Sequence, residues 1–127
     1  MKLGYTLFFV DDVSKTMEFY ERAFGLTKGF SHENQYGEMV TGETKLGFVC
    51  HETAGSNGFE YEKSHLTKKP SAVEIAFVAR DVDTAYRRAI ENGAVSVCTP
   101  GAKPWGQVVS YVRDCNGFLV EICSPME

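Results

Sequence analysis

Apolar and polar residues alternate along several short segments of the chain, and two other segments repeat apolar residues at a helical spacing. Residues 2–10 are rich in Tyr, Phe and Val, which predicts a strand. In residues 13–24 the apolar positions recur on one helical face, which predicts an amphipathic helix. Asp12 is placed to cap this helix and Gly25 to end it.

The rest of the first half predicts an antiparallel meander followed by an irregular segment. Turn residues separate three short apolar segments, which predicts strands at 26–33, 36–41 and 45–51. Residues 53–70 break the pattern, because they contain a flexible Gly-Ser-Asn-Gly stretch and mix aromatic residues with charged ones. This segment is interpreted as a linker or a lid.

The second half returns to the layout of the first. Residues 72–78 predict a strand and residues 82–92 a helix, with Asp81 placed as its cap. Three further strands are expected at 95–99, 107–113 and 118–123.

The two halves form an internal repeat. Asp81 follows Asp12 by 69 positions, and the same offset aligns Glu74 with Tyr5. Each half therefore reads strand–helix–strand–strand–strand, with module one at 1–52, the linker at 53–70 and module two at 71–127. Because a four-stranded half cannot cover its sheet alone, we expect one α+β domain in which two βαβββ modules form a curved mixed sheet around a cleft.

Composition and charge narrow the classes of partner. The formal net charge is −4 and the longest basic run is Lys68-Lys69, so nucleic acid is not an expected partner. The sequence shows neither a membrane-spanning apolar stretch nor a signal-peptide pattern, so a cytoplasmic location is expected. The four cysteines form no CxxC pair and are expected to be reduced thiols.

Two glutamates interrupt otherwise apolar strands. Glu74 lies in the predicted strand 72–78 and Glu121 in the predicted strand 118–123. Each side chain either faces solvent from an exposed sheet face or serves a binding or catalytic site, because burying an unpaired carboxylate is costly. The repetition in two strands favours a site. Two nearby carboxylates should raise at least one of their pKa values.

Residues 9–26, 104–107 and 114–121, together with the βαβββ duplication, resemble the vicinal oxygen chelate superfamily. This superfamily contains glyoxalase I, extradiol dioxygenases, fosfomycin resistance proteins and bleomycin resistance proteins. The resemblance covers nearly the whole chain. It implies the fold and a homodimer, and it leaves the activity open because the family hosts many chemistries.

The resemblance also identifies the positions of a possible metal centre. Metal-dependent members carry four ligands on the first and last strands of the two modules, which correspond here to Tyr5, Phe48, Glu74 and Glu121. Two carboxylates with two aromatic residues make a poor site for Zn, Fe or Ni. We therefore expect neither a metal nor another cofactor.

These observations lead to one main functional expectation and two alternatives. The main one is metal-independent binding of a small aromatic or cationic molecule by Tyr5, Phe48, Glu74, Trp105 and Glu121, in the manner of drug-sequestering bleomycin resistance proteins. The first alternative is a glyoxalase-like lyase, isomerase or dioxygenase with an unusual metal site or with Glu74 as general base. The second is a scaffolding domain with a vestigial cleft. Surface or structural roles are expected for His32, His51 and His65.

Overall fold

In a computed structural model that describes residues 1–126, the chain forms two compact units. The first unit is Met1–Ser64 and the second begins at His65, so their boundary lies inside the expected linker 53–70. Each unit contains a four-stranded mixed sheet and one helix of ten residues or more. This architecture confirms the predicted α+β fold built from tandem βαβββ modules.

The elements of the first unit follow the predicted order. They are β1 (Tyr5–Val10), α1 (Val13–Phe24), β2 (Thr27–His32), β3 (Tyr36–Val40), β4 (Lys45–Cys50) and the short α2 (His51–Gly55). The strand order in the sheet is β1-β4-β3-β2. Strands β1 and β4 are parallel, whereas the other neighbours are antiparallel.

Helix α1 has the predicted bounds because both of its ends are fixed locally. The backbone N–H of Lys15 donates to Oδ1 of Asp12 at 3.0 Å, which satisfies one of the free donors of the first turn. Gly25 ends the helix with a φ of 71°, a conformation that suits glycine. The helix packs closely on the sheet at Gly37, where a Cβ would overlap Sδ of Met17.

The second unit repeats this layout. Its elements are β5 (Glu74–Val78), α3 (Val82–Glu91), β6 (Val95–Ala102), β7 (Val108–Arg113) and β8 (Leu119–Cys123). The strand order is β5-β8-β7-β6, which is the order of the first sheet. The backbone N–H of Thr84 donates to Oδ1 of Asp81 at 3.1 Å, so the predicted cap of the second helix is confirmed.

Strand β6 is longer than the sequence predicts, and the other strands are one to three residues shorter. Strand β6 continues past Thr99 and through Pro100 to Ala102. A proline is tolerated there because β6 is the edge strand, and its pairing with β7 already contains register shifts. The short helix α2 was not predicted, because residue 51 had been assigned to the preceding strand.

One face of each sheet contacts the long helix of its unit, and the other face is here called the distal face. Side chains alternate between the two faces along a strand. Tyr5 and Glu74 are the first residues of the equivalent strands β1 and β5, as the repeat offset predicted. Among residues 1–126, no helix is long and apolar enough to cross a membrane.

A turn before β8 fixes the position of that strand in the second unit. The buried carboxylate of Asp114 accepts hydrogen bonds from the backbone N–H groups of Asn116 and Phe118 at 2.8 and 2.9 Å. The guanidinium of Arg113 donates to the backbone carbonyls of His65, Leu66 and Gly117, each at 3.0 Å. These bonds fasten the beginning of the unit to the turn that leads into β8.

Candidate functional site

The two glutamates that interrupt apolar strands lie together on the distal face of the second sheet. Strands β5 and β8 are parallel neighbours, and Ala76 is directly opposite Glu121. Glu74 therefore lies diagonally across from Glu121, within reach of a long side chain. On the other side of β8, Tyr111 of β7 is directly opposite Glu121.

The hydroxyl of Tyr111 connects the two carboxyl groups. Its Oη lies 3.0 Å from Oε1 of Glu121 and 3.3 Å from Oε1 of Glu74. A phenol has a single proton to donate, so it satisfies one acceptor at a time. The two carboxyl groups therefore lie close enough for each to affect the ionisation of the other.

The electrostatics of this cluster favour the protonated forms of Glu74 and Tyr111. The pKa of Glu74 is raised, first by partial burial of its carboxyl group and then by the hydrogen bond and the charge of Glu121. The pKa of Tyr111 is also raised, first by burial and then by its hydrogen bond to Glu121. Tyr111 therefore keeps its proton and acts as a donor to the carboxyl pair. We refer to Glu74, Tyr111 and Glu121 as the carboxyl cluster.

Cys123 lies beside the cluster on β8. Burial, reinforced by a hydrogen bond and charge from Glu121, raises the pKa of this thiol to about 11. A thiol with such a pKa is protonated near neutral pH and is a weak nucleophile. Cys123 therefore contributes a small buried side chain to the cluster rather than thiolate chemistry.

In the first unit, the position equivalent to Glu121 is Gly47 rather than Phe48. Gly47 is paired with Leu7 of β1, just as Glu121 is paired with Ala76 of β5, and Leu7 and Ala76 differ by the repeat offset of 69. Phe48 is fully buried at 0% exposure and packs against Tyr20 of α1. The expectation that Phe48 points toward a ligand is therefore corrected, because its side chain lies on the helix-covered face.

The space beside Gly47 is occupied by other side chains. A Cβ at Gly47 would lie 2.7 Å from Cδ2 of Leu7 and 3.0 Å from Oη of Tyr36. Tyr5, the other expected position in this unit, lies at the start of β1 and is 56% exposed. The distal face of the first sheet thus presents aromatic and aliphatic side chains where metal-dependent relatives carry ligands.

One acidic residue of the first unit, Glu38, was missed by the sequence analysis. Glu38 on β3 is only 13% exposed in its side chain and lies 3.5 Å from Nζ of Lys45. Its Oε2 accepts a hydrogen bond from the hydroxyl of Tyr36 at 2.6 Å. Burial and this hydrogen bond raise the pKa of Tyr36. The sequence contains the same indication for Glu38 as for Glu74 and Glu121, because Glu38 also interrupts an apolar strand.

The donor set does not fit the four-ligand metal centre of the family. In the second unit the carboxyl cluster offers two carboxyl groups, of which Glu74 has a raised pKa, and a phenol that retains its proton. In the first unit Gly47 offers no side-chain donor. Within residues 1–126, no three His, Cys, Asp or Glu side chains are arranged to hold a metal ion. We therefore derive no chemical step through a metal.

His51 takes part in a hydrogen-bonded chain that the sequence analysis did not anticipate. Its Nε2 lies 3.1 Å from Oδ1 of Asp11, and its Nδ1 lies 2.7 Å from the hydroxyl of Tyr61. The ring of Tyr61 also packs against Phe9 of β1 at 4.9 Å between centroids. These contacts fasten residues of the expected linker to the first unit. They depend on tertiary structure, which local sequence patterns do not report.

Replacing His51 with alanine should loosen this attachment. The loss of two hydrogen bonds of about 1 kcal/mol each would increase local opening about 30-fold. Limited trypsin cleavage after Lys63 should become faster by the same factor. A His32→Ala variant is the control, because the side chain of His32 is 59% exposed. Equal cleavage rates for the two variants would contradict the assigned role.

Trp105 lies in the loop between β6 and β7, as expected, and is 62% exposed. It lines a cavity of about 350 Å³ in the second unit, whose lining includes Arg80 and Gln107 but neither Glu74 nor Glu121. His65 is tied to the turn before β8 through its backbone carbonyl. Of the five residues expected to bind ligand, the structure thus brings Glu74 and Glu121 onto the same Tyr111 hydroxyl and gives Trp105 a different set of neighbours.

Comparisons with known proteins agree with this fold. The family model described as Glyoxalase/Bleomycin resistance protein/Dioxygenase superfamily matches residues 2–122. The uncharacterized protein YraH of Bacillus subtilis (strain 168) is 32% identical over 124 residues, covering 96% of this chain and 97% of YraH. A glyoxalase-related enzyme from Fulvimarina pelagi has a TM-score of 0.85 at 18% identity, covering 98% of this chain and 88% of that enzyme.

A second solved structure, the hypothetical protein SA1046 from S. aureus, has a TM-score of 0.81 at 16% identity, with 98% of this chain and 94% of that chain covered. At these identities the structural likeness concerns the fold alone. The family-model match spans nearly all of the chain and agrees with the resemblance seen in the sequence. The chain therefore belongs to the glyoxalase/bleomycin resistance protein/dioxygenase superfamily.

Proposed function

We propose that the chain binds a small, positively charged molecule, preferably one with an aromatic group, through the carboxyl cluster and without a metal. The observation that carries the proposal is the pair of contacts from Oη of Tyr111 to Glu121 and to Glu74, at 3.0 and 3.3 Å. Three oxygen atoms from three adjacent strands thus converge on one distal face. In this proposal the protein sequesters a drug or metabolite, as bleomycin resistance proteins do.

A cation suits this cluster because it can take the place of the proton that the raised pKa of Glu74 favours. An ammonium or amidinium N–H group donates to the same oxygen atoms, and its charge removes the repulsion between two ionised carboxylates. Ala76 opposite Glu121 carries only a methyl group and is exposed, which leaves room above the sheet. Val78 on the same face is 66% exposed and offers apolar contact to the uncharged part of a ligand.

The proposal is tested with three ligands that share one ring and differ in charge. Benzylamine is cationic, benzyl alcohol is neutral and phenylacetate is anionic near neutral pH. Isothermal titration calorimetry should show binding of benzylamine that disappears when both Glu74 and Glu121 are replaced by Gln. Binding of benzylamine that survives in this double variant would refute the proposal.

A second candidate is proton transfer, with Glu74 as general base on a carbon acid. The raised pKa of Glu74 favours it, because a base is most effective when its pKa approaches the working pH. Hydrogen–deuterium exchange at an activated C–H bond, followed by NMR, would detect this chemistry. Its loss in a Glu74→Gln variant that retained bound ligand would distinguish catalysis from binding.

The homodimer implied by the family resemblance remains a prediction, which analytical ultracentrifugation can test.

A further inference from the structure

Three side chains at one end of the first sheet form a carboxylate–imidazole–phenol chain, which we call the Tyr61 triad. Strands β1 and β4 are parallel and end on paired residues, so Asp11 and His51 leave the sheet side by side. Nε2 of His51 lies 3.1 Å from Oδ1 of Asp11, and its Nδ1 lies 2.7 Å from the hydroxyl of Tyr61. All three residues belong to the first unit.

The directions of these hydrogen bonds follow from the chemistry of the groups. The carboxylate of Asp11 only accepts, so Nε2 of His51 carries the ring hydrogen. Nδ1 of the neutral imidazole then presents its lone pair and accepts the hydroxyl hydrogen of Tyr61. A hydroxyl bonded to an imidazole that is itself oriented by a carboxylate is the arrangement that activates hydroxyl nucleophiles.

The ring of Tyr61 is held in place by other aromatic rings. It lies nearly parallel to the imidazole of His51, at 28° and 5.7 Å between centroids. The rings of Phe9 and Phe59 lie at 4.9 and 6.1 Å from it. The phenol and its base are therefore positioned before any substrate binds, which lowers the entropy cost of reaction. Tyr61 is nevertheless partly exposed and Phe59 is 50% exposed, so this group of rings is open to small molecules.

Four other tyrosines have surroundings that suit nucleophilic chemistry less. Tyr20 is fully buried at 0% exposure. The hydroxyls of Tyr36 and Tyr111 donate to glutamate side chains, and burial together with these bonds raises the pKa of both phenols. Tyr86 is partly exposed like Tyr61, but its hydroxyl donates to a serine hydroxyl, which is a much weaker base than imidazole. Tyr86 therefore serves as an internal reference for Tyr61.

We propose that the hydroxyl of Tyr61 accepts an acyl group from an activated aryl ester, with His51 as general base and Asp11 as positioning residue. A tyrosine phenol has a pKa of about 10, so transfer to it is favourable from an ester whose leaving group is a weaker base, such as a nitrophenol. The exposed ring of Phe59 offers apolar contact to the aryl group. The Tyr61 triad contains no residue of the carboxyl cluster, so this inference does not depend on the function proposed for that cluster.

The step conserves atoms and charge. Oη of Tyr61 attacks the carbonyl carbon of the ester while Nδ1 of His51 takes the hydroxyl proton. The bond from Oη to the acyl carbon forms, and the bond from that carbon to the aryl oxygen breaks with its electron pair. The imidazolium, whose charge is balanced by the carboxylate of Asp11, gives the proton to the departing phenolate. The products are O-acyl Tyr61 and the released phenol.

Acetylation by 4-nitrophenyl acetate tests the proposal, with peptide mapping by mass spectrometry to locate the acetyl groups. Exposed thiols and amines react with this reagent as well, so the measured quantity is the ratio of the Tyr61 rate to the Tyr86 rate in the same molecule. A general base contributes about 100-fold or more, so we expect a ratio of about 10 or higher. Equal rates at the two tyrosines would overturn the proposal.

His51→Asn separates base catalysis from attachment of the segment that carries Tyr61. The side-chain oxygen of Asn can accept the hydrogen bond that Nδ1 accepts, but it is not a base. The ratio of the two rates should fall by about tenfold or more, while trypsin cleavage after Lys63 keeps the rate of the unmodified protein. An unchanged ratio would overturn the proposal.

Asp11→Asn is the second variant, which decides the outcome if His51→Asn is cleaved faster after Lys63. It leaves the imidazole in place and removes the charge that balances the imidazolium, so the ratio should fall several-fold. A ratio equal to that of the unmodified protein would overturn the proposal.

Discussion

Replacing Gly117 with alanine is expected to destabilise the second unit by about 3 kcal/mol or more, a large share of the roughly 5–15 kcal/mol typical of a folded domain. Gly117 has a φ of 88°, which costs an L-residue about 1–2 kcal/mol. A Cβ there would lie 2.6 Å from the backbone carbonyl of His65, and overpacking adds about 1–3 kcal/mol. Because the turn leads directly into β8, the position of Glu121 would be disturbed as well.

Gly106→Ala is the matched control for this substitution. Gly106 belongs to the same unit and has a φ of 91°, but a Cβ there would meet nothing within 4 Å. Gly106→Ala should therefore lower the free energy of unfolding by only about 1–2 kcal/mol, the penalty for an L-residue at positive φ. Urea unfolding of both variants measures the difference. If Gly117→Ala lowers the free energy of unfolding no more than Gly106→Ala does, the close approach to His65 does not limit the residue at position 117.

Replacing Glu121 with Gln is expected to weaken benzylamine binding by about 1–3 kcal/mol, or roughly 5- to 150-fold, the value of a charge-assisted hydrogen bond. The amide keeps the size of the side chain but removes the charge and one acceptor oxygen. Glu91→Gln is the matched control, because it changes the net charge equally at an exposed position on α3. Calorimetric titration of both variants measures the effect. Equal affinities for the two variants would contradict the role of Glu121.

The same substitution should stabilise the empty protein at neutral pH. A carboxyl group with a raised pKa in the folded state binds its proton more tightly than in the unfolded chain. The stability of the unmodified protein should therefore fall as pH rises from the ordinary glutamate value through the raised pKa of Glu74. Thermal unfolding should show Glu121→Gln gaining stability over the unmodified protein as pH rises through this interval. A constant difference across the interval would contradict the coupling.

Much of the fold could be predicted from local patterns. Asp12, Gly25 and Asp81 cap or end helices at the expected positions because capping depends on a few adjacent residues. The repeat offset correctly related β1 to β5, since both strands precede a helix that begins at the equivalent residue. Family membership followed from the same pattern and agrees with the family model over residues 2–122.

The candidate site could be predicted only in part. The sequence selects Glu74 and Glu121, which both contact the Tyr111 hydroxyl, because a charge inside an apolar strand is a local signal; their role as a binding site stays a prediction. Phe48 was selected in place of Gly47 because side chains alternate between faces, so an error of one residue selects the wrong face. Tyr111, which joins the two glutamates, gives no local signal, because a tyrosine is ordinary in a strand. The hydrogen-bonded chain through Asp11, His51 and Tyr61 likewise depends on tertiary packing.

Displacement of a proton from the carboxyl cluster by a bound cation can be measured by calorimetry of benzylamine binding at mildly acidic pH, in two buffers with different ionisation enthalpies. Benzylamine stays charged in this range, so any proton released comes from the protein. We expect a buffer-dependent heat corresponding to proton release, together with an affinity that rises with pH through the raised pKa of Glu74. A heat independent of buffer, with an affinity constant over the same pH range, would contradict it.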